Sequence, residues 1–427
     1  MTAKNEAAKT SMLDDSIEPT PGPAGAETMK VIVQSGYGSS PERVLRLAEI
    51  DRPVIGDHEV LVRVRAAGVD RGTWHLMTGL PKLMRIMGFG FRRPKAPNPG
   101  RSLAGTVEAA GRNVTEFKPG DEVYGTCDGS FAEYARAQVG LLALKPANLS
   151  FEQAATIPVS GVTALQGVRD RAQVRPGEKV LIIGASGGVG TFAIQIAKAF
   201  DTEVTAVCST AKMDLVRALG ADHIIDYTRD DCADGKQRYD AIVDIGGNSR
   251  LSRLRRALTP AGRLVIVGGE TDGRWLGGFD RQLRAMTLSP LVSQKLGILG
   301  AKENAADLSV LQELIESGKV TPAIDRTFAL SEAPEAIRYL KEGNARGKIV
   351  IAVCGPARFD HFQPRGPPVG RSKSRGGDRG DYPAAPPAFR QVVHAHRLSN
   401  PRRDILRTAA STRAPSARCS LSPISRS

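Results

Sequence analysis

The segment Val180-Leu181-Ile182-Ile183-Gly184-Ala185-Ser186-Gly187-Gly188-Val189-Gly190 has the residue types of an anion-binding turn. A short β-branched run ends in a side-chain-poor turn, and a helical stretch, 191–200, follows. The glycines fall at 184, 187, 188 and 190, a departure from GxGxxG spacing, but the physics is the same. Backbone N–H groups and the positive end of the helix dipole face a diphosphate, and Gly190 lets helix and strand approach closely. A glycine cluster alone is matched equally well by a plain turn. The strand before it, the helix after it and four further strand–helix repeats favour a dinucleotide site.

The next strand indicates which dinucleotide. NAD-specific folds place Asp or Glu at its end, about 20 residues past the glycines, to hold the ribose 2′-OH. Here that end reads Val207-Cys208-Ser209-Thr210-Ala211-Lys212, two hydroxyls and a cation without a carboxylate. A 2′-phosphate is attracted by Lys212 and would be repelled by an acid. The expectation is NADPH over NADH; the alternative is that Lys212 is an exposed first-turn lysine.

These residues need a scaffold, and the patterning supplies one. From Met29 to about residue 157 short strands with frequent turns dominate: Lys30–Val33, Val60–Val64, Gly105–Glu108 and Lys118–Val123. From Pro158 strands alternate with helices: 180–183, 204–207, 223–225, 241–245 and 264–267, with helices over 191–200 and 212–219. That rhythm implies right-handed crossovers and a parallel sheet buried on both faces. Helices over 308–316 and 334–341 and a strand over 348–353 close the patterned region. The predicted division is a disordered extension (1–28), a strand-rich catalytic domain (29–157), a doubly wound nucleotide-binding domain (158–300), a returning segment (301–353) and a disordered tail (354–427).

The chain of 427 residues carries a net +14, which suggests nucleic acid until the charge is located. Residues 355–427 hold 14 Lys and Arg against 4 Asp and Glu, so +10 of the +14 lies in a Gly/Pro/Arg/Ser-rich tail. Such a tract reads as a solvated extension, with nucleic-acid binding the less favoured alternative. Five scattered cysteines without CxxC spacing argue against a disulfide framework and for a reducing compartment. No secretory h-region and no apolar run of about 20 residues occur, so the expected location is cytoplasmic, off the membrane.

Taken together, the motifs resemble the medium-chain dehydrogenase/reductase superfamily, in particular its quinone-reductase-like members. The resemblance covers about 29–353. It rests on Ala185–Gly190, on Pro99-Gly100 through Ala104-Gly105-Thr106-Val107, and on Phe117-Lys118-Pro119-Gly120-Asp121-Glu122-Val123. Gly220-Ala221-Asp222-His223-Ile224-Ile225-Asp226-Tyr227 and Gly347-Lys348-Ile349-Val350 add to it. It implies a Rossmann doubly wound parallel sheet plus a GroES-like strand-rich catalytic domain, an α/β fold with the active site between them. It further implies Thr163 near the nicotinamide, Lys212 and Tyr227 at the 2′-phosphate, Gly246, Gly247 and Gly268 bordering the ribose and nicotinamide, and a homodimer.

Zinc members of that superfamily use a Cys, then a His and Glu in Gly-His-Glu. This sequence has Asp70 at the first position and Arg101 and Ser102 at the others. An arginine cannot ligate a cation, and catalytic zinc needs three protein ligands; the four-cysteine structural lobe is also missing. A chain without zinc lacks the Lewis acid that a saturated carbonyl needs, whereas a quinone or α,β-unsaturated carbonyl is already electrophilic. The expected substrate is therefore a small conjugated carbonyl. In the family's active-site region, Asp70 would orient the ribose or relay a proton and Thr73 would hydrogen-bond substrate; equally, both cap a turn. Trp74, His75 and the run 76–93 (Leu83, Met84, Ile86, Met87, Phe89, Phe91) line a pocket or pack between domains. Cys127 has no evident activating base, so a covalent route is disfavoured. Two other functions stay open: a zinc-free alcohol dehydrogenase or ketoreductase, and a non-catalytic NADPH-binding sensor.

Overall fold

The computed structural model describes residues 27–86, 90–246, 249–268 and 277–353. The expectations for 1–26, for the tail 354–427, and for Met87, Phe89 and Gly247 lie outside the described residues.

Among the described residues, fifteen strands carry the architecture. β1 (Thr28–Gln34) and β2 (Leu45–Asp51) form an antiparallel ribbon. β3 (Glu59–Val69), β4 (Ser102–Ala110), β5 (Glu122–Thr126), β6 (Tyr134–Gln138) and β7 (Leu142–Leu144) belong to a mixed sheet. A second sheet follows: β8 (Lys179–Ile183), β9 (Glu203–Cys208), β10 (His223–Asp226), β11 (Tyr239–Asp244), β12 (Leu258–Ile266) and β13 (Lys295–Ile298). β14 (Ile324–Ala329) and β15 (Lys348–Ala352) then return to the first sheet, in the order β14-β15-β3-β4-β5-β7, with β6 also paired to β3.

Burial follows the sequence periods. In β3, Val60, Val62 and Val64 are buried while Arg63 and Arg65 are exposed, the period of 2 of a half-covered antiparallel strand. In β8, Val180 to Ile183 are buried without alternation, because helices cover both faces of a parallel sheet. That sheet runs β10-β9-β8-β11-β12-β13, all parallel. Its strand order reverses between β8 and β11, and ligands of doubly wound sheets bind beyond the carboxyl ends at such a point. Here those ends lead into Gly184 and Gly246.

One strand begins later than its sequence suggests. Lys118–Asp121 is a turn, closed by Asp121 N–H to Lys118 O (3.1 Å), with Gly120 at φ +94°. Proline and then a positive-φ glycine at the two central positions fix this geometry, so β5 starts at Glu122. Among the described residues, no helix is long and apolar enough to cross a membrane.

Candidate active site

The turn after β8 uses its glycines for distinct reasons. Gly184 has φ +81°, and a Cβ there would lie 2.9 Å from Gly246 N. A Cβ on Gly190 would come within 2.3 Å of Gly184 O and 2.6 Å of the Ala185 carbonyl carbon. The helix Gly188–Ala199 is therefore seated directly on the turn. Gly187, its N-cap, has more room: its nearest notional contact is Gly184 O at 3.4 Å. Ala185 and Ser186 are buried, and Val189 is half-buried on the first turn. First-turn N–H groups of a helix have no intrahelical partner, so an anion is favoured here electrostatically as well as sterically.

The returning segment clasps this turn. Gly347 N–H donates to Ser186 O (3.0 Å), and Gly347 bridges Gly187 in parallel. The Lys348 stem crosses the helix start, where a Cβ on Gly188 would be 2.8 Å from its Cδ. Its Nζ donates to Val69 O and to Ser160 Oγ, both at 3.0 Å, and the side chain is fully buried. Burial lowers its pKa, and the Asp70 carboxylate works against that shift. Sequence reasoning quoted Lys348 as part of a motif and missed it as a site residue. The available signal was a lysine opening an otherwise apolar strand, since buried charges persist only with a reason.

Asp70 follows β3 and caps the helix Arg71–Thr78, its Oδ1 accepting from Thr73 N–H (2.9 Å) and Thr73 Oγ1 (3.4 Å). Both residues are buried, and the cap is present. Asp70 Oδ2, however, is buried without a hydrogen-bond partner. His75 is held by its Nδ1 at Leu80 O (2.9 Å), and Trp74 packs on the core beneath β15. Ile86 and Phe91 are exposed, so these two do not build a packed substrate wall; Leu83 is half-buried.

At the other end, Ser209 is half-buried and Thr210 donates its hydroxyl to Asp226, which also accepts from Thr228 Oγ1 (2.7 Å) and Thr228 N–H (3.0 Å). A carboxylate therefore does stand near the end of β9, contributed by β10 and bound to two threonines. Those hydroxyl and backbone bonds hold its pKa low. Lys212 Nζ donates to Gly343 O (2.7 Å) and Ala345 O (2.8 Å), so it is no free first-turn lysine; burial lowers its pKa. Tyr227 is exposed, and its N–H donates to Cys208 O (3.1 Å) at the end of β9.

On the β11–β12 side, Thr163 donates to Val159 O within its own helix (2.6 Å). Gly246 faces Gly184, and Gly268 N–H reaches Asp244 O at 3.4 Å. Arg281, from the helix Phe279–Leu288, ties both strand ends together. It binds the buried Asp244 carboxylate (2.7 Å), Ser249 O (3.1 Å) and Gly268 O (3.3 Å). Sequence reasoning missed this pair, whose members lie 37 residues apart.

The positions that carry zinc in metal-dependent relatives do not fit a metal. Gly68, Ser102 and Thr126 stand abreast on β3, β4 and β5, which brings Asp70 and Arg101 to one edge of the sheet. A guanidinium there repels a cation, and Ser102 Oγ instead accepts Val159 N–H (3.3 Å). Among the described residues no group of three or more His, Cys, Asp or Glu is placed to hold an ion. Cys127 is buried, and burial raises its thiol pKa, the opposite of an activated nucleophile.

A doubly wound sheet with a glycine turn at its switch point, clasped by a GroES-like strand-rich domain, defines an oxidoreductase that uses a nicotinamide cofactor. Residues 56–147 match the alcohol dehydrogenase GroES-like domain family, and residues 219–351 match the zinc-binding dehydrogenase family. The chain is 31% identical over 336 residues to a chloroplastic quinone oxidoreductase of Triphysaria versicolor, covering 76% of this chain and 98% of that protein. It is 33% identical over 338 residues to a chloroplastic NADPH-dependent alkenal/one oxidoreductase of Arabidopsis thaliana (76% and 79% covered). The solved quinone oxidoreductase of Coxiella burnetii superposes with a TM-score of 0.67 at 29% identity, covering 77% of this chain and all of that one. The chain belongs to the medium-chain dehydrogenase/reductase superfamily, in its quinone-oxidoreductase-like branch.

Proposed function

We propose that this protein is an NADPH-dependent, zinc-free reductase of quinones or α,β-unsaturated carbonyls. The observation that carries the reading is the edge formed by Asp70 and Arg101, where a Lewis-acid site would need metal ligands and a cationic side chain stands instead. A conjugated acceptor needs only positioning and hydrogen bonds to its developing oxyanion. The similar quinone and alkenal/one oxidoreductases support the same substrate class.

The bound nicotinamide supplies the hydride. The chain's own residues then divide the work. The turn Gly184–Gly190 and Lys348 receive the diphosphate. Ser209, Thr210, Lys212 and Tyr227 receive the 2′-phosphate side. Thr163, Gly246 and Gly268 border the nicotinamide. This reading takes 29–157 with 301–353 as the catalytic part and 158–300 as the nucleotide-binding part. It also includes a homodimer through the open edge of β13, beside which Leu283, Met286 and Leu291 are exposed. Thiols at Cys127, Cys208 and Cys232, none in a disulfide, suit a reducing, cytoplasmic setting.

The test is NADPH oxidation by a small quinone and by a simple enone, with a saturated ketone in parallel. Turnover of the first two without the third is expected. Turnover of the ketone alone would replace this reading with a ketoreductase, and tight NADPH binding without any turnover would replace it with a sensor.

A further inference from the structure

The position of Arg101 deepens this reading, and rests on it. We propose that the Arg101 guanidinium meets the carbonyl oxygen of the substrate and takes up the negative charge that forms there during hydride transfer.

Arg101 immediately precedes β4, and its carbonyl accepts Cys127 N–H (2.9 Å), which fixes the backbone between the ends of β3 and β5. Its side chain is one-third exposed, so it can be reached from the cleft. Two carboxylates flank it, Asp128 at 3.7 Å and Glu303 at 3.6 Å. Both distances exceed a hydrogen bond. Among the described residues the guanidinium makes no hydrogen bond, and its N–H groups are available for an oxygen. The carboxylates orient the cation without saturating it.

The Glu303 contact shows where the side chain lies. Glu303 belongs to the segment after β13, at the carboxyl edge of the parallel sheet, where ligands of this architecture bind. That segment is fixed to the helix of Thr163: Gln166 Nε2 donates to Lys302 O (2.7 Å) and to Asp307 Oδ2 (2.6 Å), and Arg169 binds Asp307 (2.7 Å). Arg101 thus reaches from the strand-rich sheet to a segment that is braced against the helical residues following Thr163.

A second, independent observation lies in the polar groups around it. Asp70 Oδ2, Thr126 Oγ1 and Ser130 Oγ are buried without hydrogen-bond partners. Thr126 stands opposite Ser102 in register, and Ser130 Oγ crowds Gly100, where a Cβ would be 2.4 Å away. Buried polar groups left unpaired are costly, and three of them in the segments that adjoin the start of β4 fit a polar atom that arrives with the ligand.

In the reaction, the C4–H bond of the dihydronicotinamide breaks and its electron pair forms a C–H bond at the β-carbon of an enone. The C=C pair shifts to make an enolate, the carbonyl oxygen gains the negative charge, and the cofactor is oxidised. With a quinone the same two electrons give a hydroquinone monoanion. Arg101 keeps its protons throughout, and a proton from water completes the product. A guanidinium already placed beside the oxygen stabilises that charge and needs no rearrangement as the charge appears.

The experiment compares the full chain with Arg101→Gln, Arg101→Lys and Arg101→Ala, using a neutral quinone and a neutral enone. NADPH affinity is read by fluorescence titration and folding by thermal melts. Expected for Arg101→Gln is a loss in kcat of about 100- to 1,000-fold, the scale of losing one oxyanion donor, with NADPH affinity changed less than about twofold. Arg101→Lys, which keeps the charge and the fold, should retain more of kcat. Added guanidinium ion should restore part of the Arg101→Ala rate. A wild-type kcat in Arg101→Gln, or a loss that parallels NADPH affinity, overturns the assignment. If the wild-type chain reduces neither acceptor, the functional reading fails and this inference with it.

Discussion

Lys348 Nζ lies 3.0 Å from Ser160 Oγ and 3.0 Å from Val69 O, and its stem lies against Gly188 at the helix start proposed for the diphosphate. The residues involved come from three distant parts of the chain, and one buried cation joins them.

Replacing Lys348 by Met should weaken NADPH binding about 10- to 100-fold, the value of a charge-assisted hydrogen bond of roughly 1.5–3 kcal/mol. Fluorescence titration of the apoprotein checks this, and an unchanged Kd would remove Lys348 from the diphosphate site.

The same substitution makes a pH prediction. Burial depresses the Lys348 pKa below the ordinary 10.5, so in the window between the two values the unfolded chain binds more protons than the folded one. Wild-type stability contributed by this group therefore rises with pH through that window. The Lys348→Met protein, lacking the penalty, should compare most favourably with wild type at neutral pH, and the difference should shrink as pH approaches 10.5. Paired thermal melts across pH 7 to about 10.5 measure it.

Lys212→Ala should cost about 10- to 100-fold in NADPH affinity and leave NADH nearly unaffected. It also releases the carbonyls of Gly343 and Ala345, so a control with NADH separates phosphate recognition from a displaced segment. Equal losses for both dinucleotides would favour the structural role.

Arg281→Met removes the guanidinium that binds the buried Asp244 carboxylate, with a predicted cost of about 3–5 kcal/mol in urea denaturation. A loss under about 1 kcal/mol would mean that Asp244 is well served without the arginine.

Much of this was legible in the sequence. The turn 184–190 could be read because its glycines follow an apolar run and precede a helical period, and the steric need at Gly190 is local. The parallel sheet followed from alternation of short strands with helices. The nearby carboxylate of Asp226 was not legible, because strand adjacency decides that β10 lies beside β9. Nor was the Arg281–Asp244 pair, or the burial of Lys348, since both depend on which distant segments meet. Asp70 and Thr73 could be read only as alternatives; the structure shows the cap bond and, beside it, Asp70 Oδ2 buried without a hydrogen-bond partner. For Ile86 and Phe91, read as a substrate wall or as interdomain packing, the structure adds that both side chains are exposed.

The most direct test of metal-free, NADPH-dependent reduction is quinone-dependent loss of NADPH absorbance after exhaustive EDTA treatment, with NADH run alongside. Full activity after EDTA, stronger with NADPH than with NADH, is the predicted result. Activity lost to EDTA and restored by zinc would contradict it.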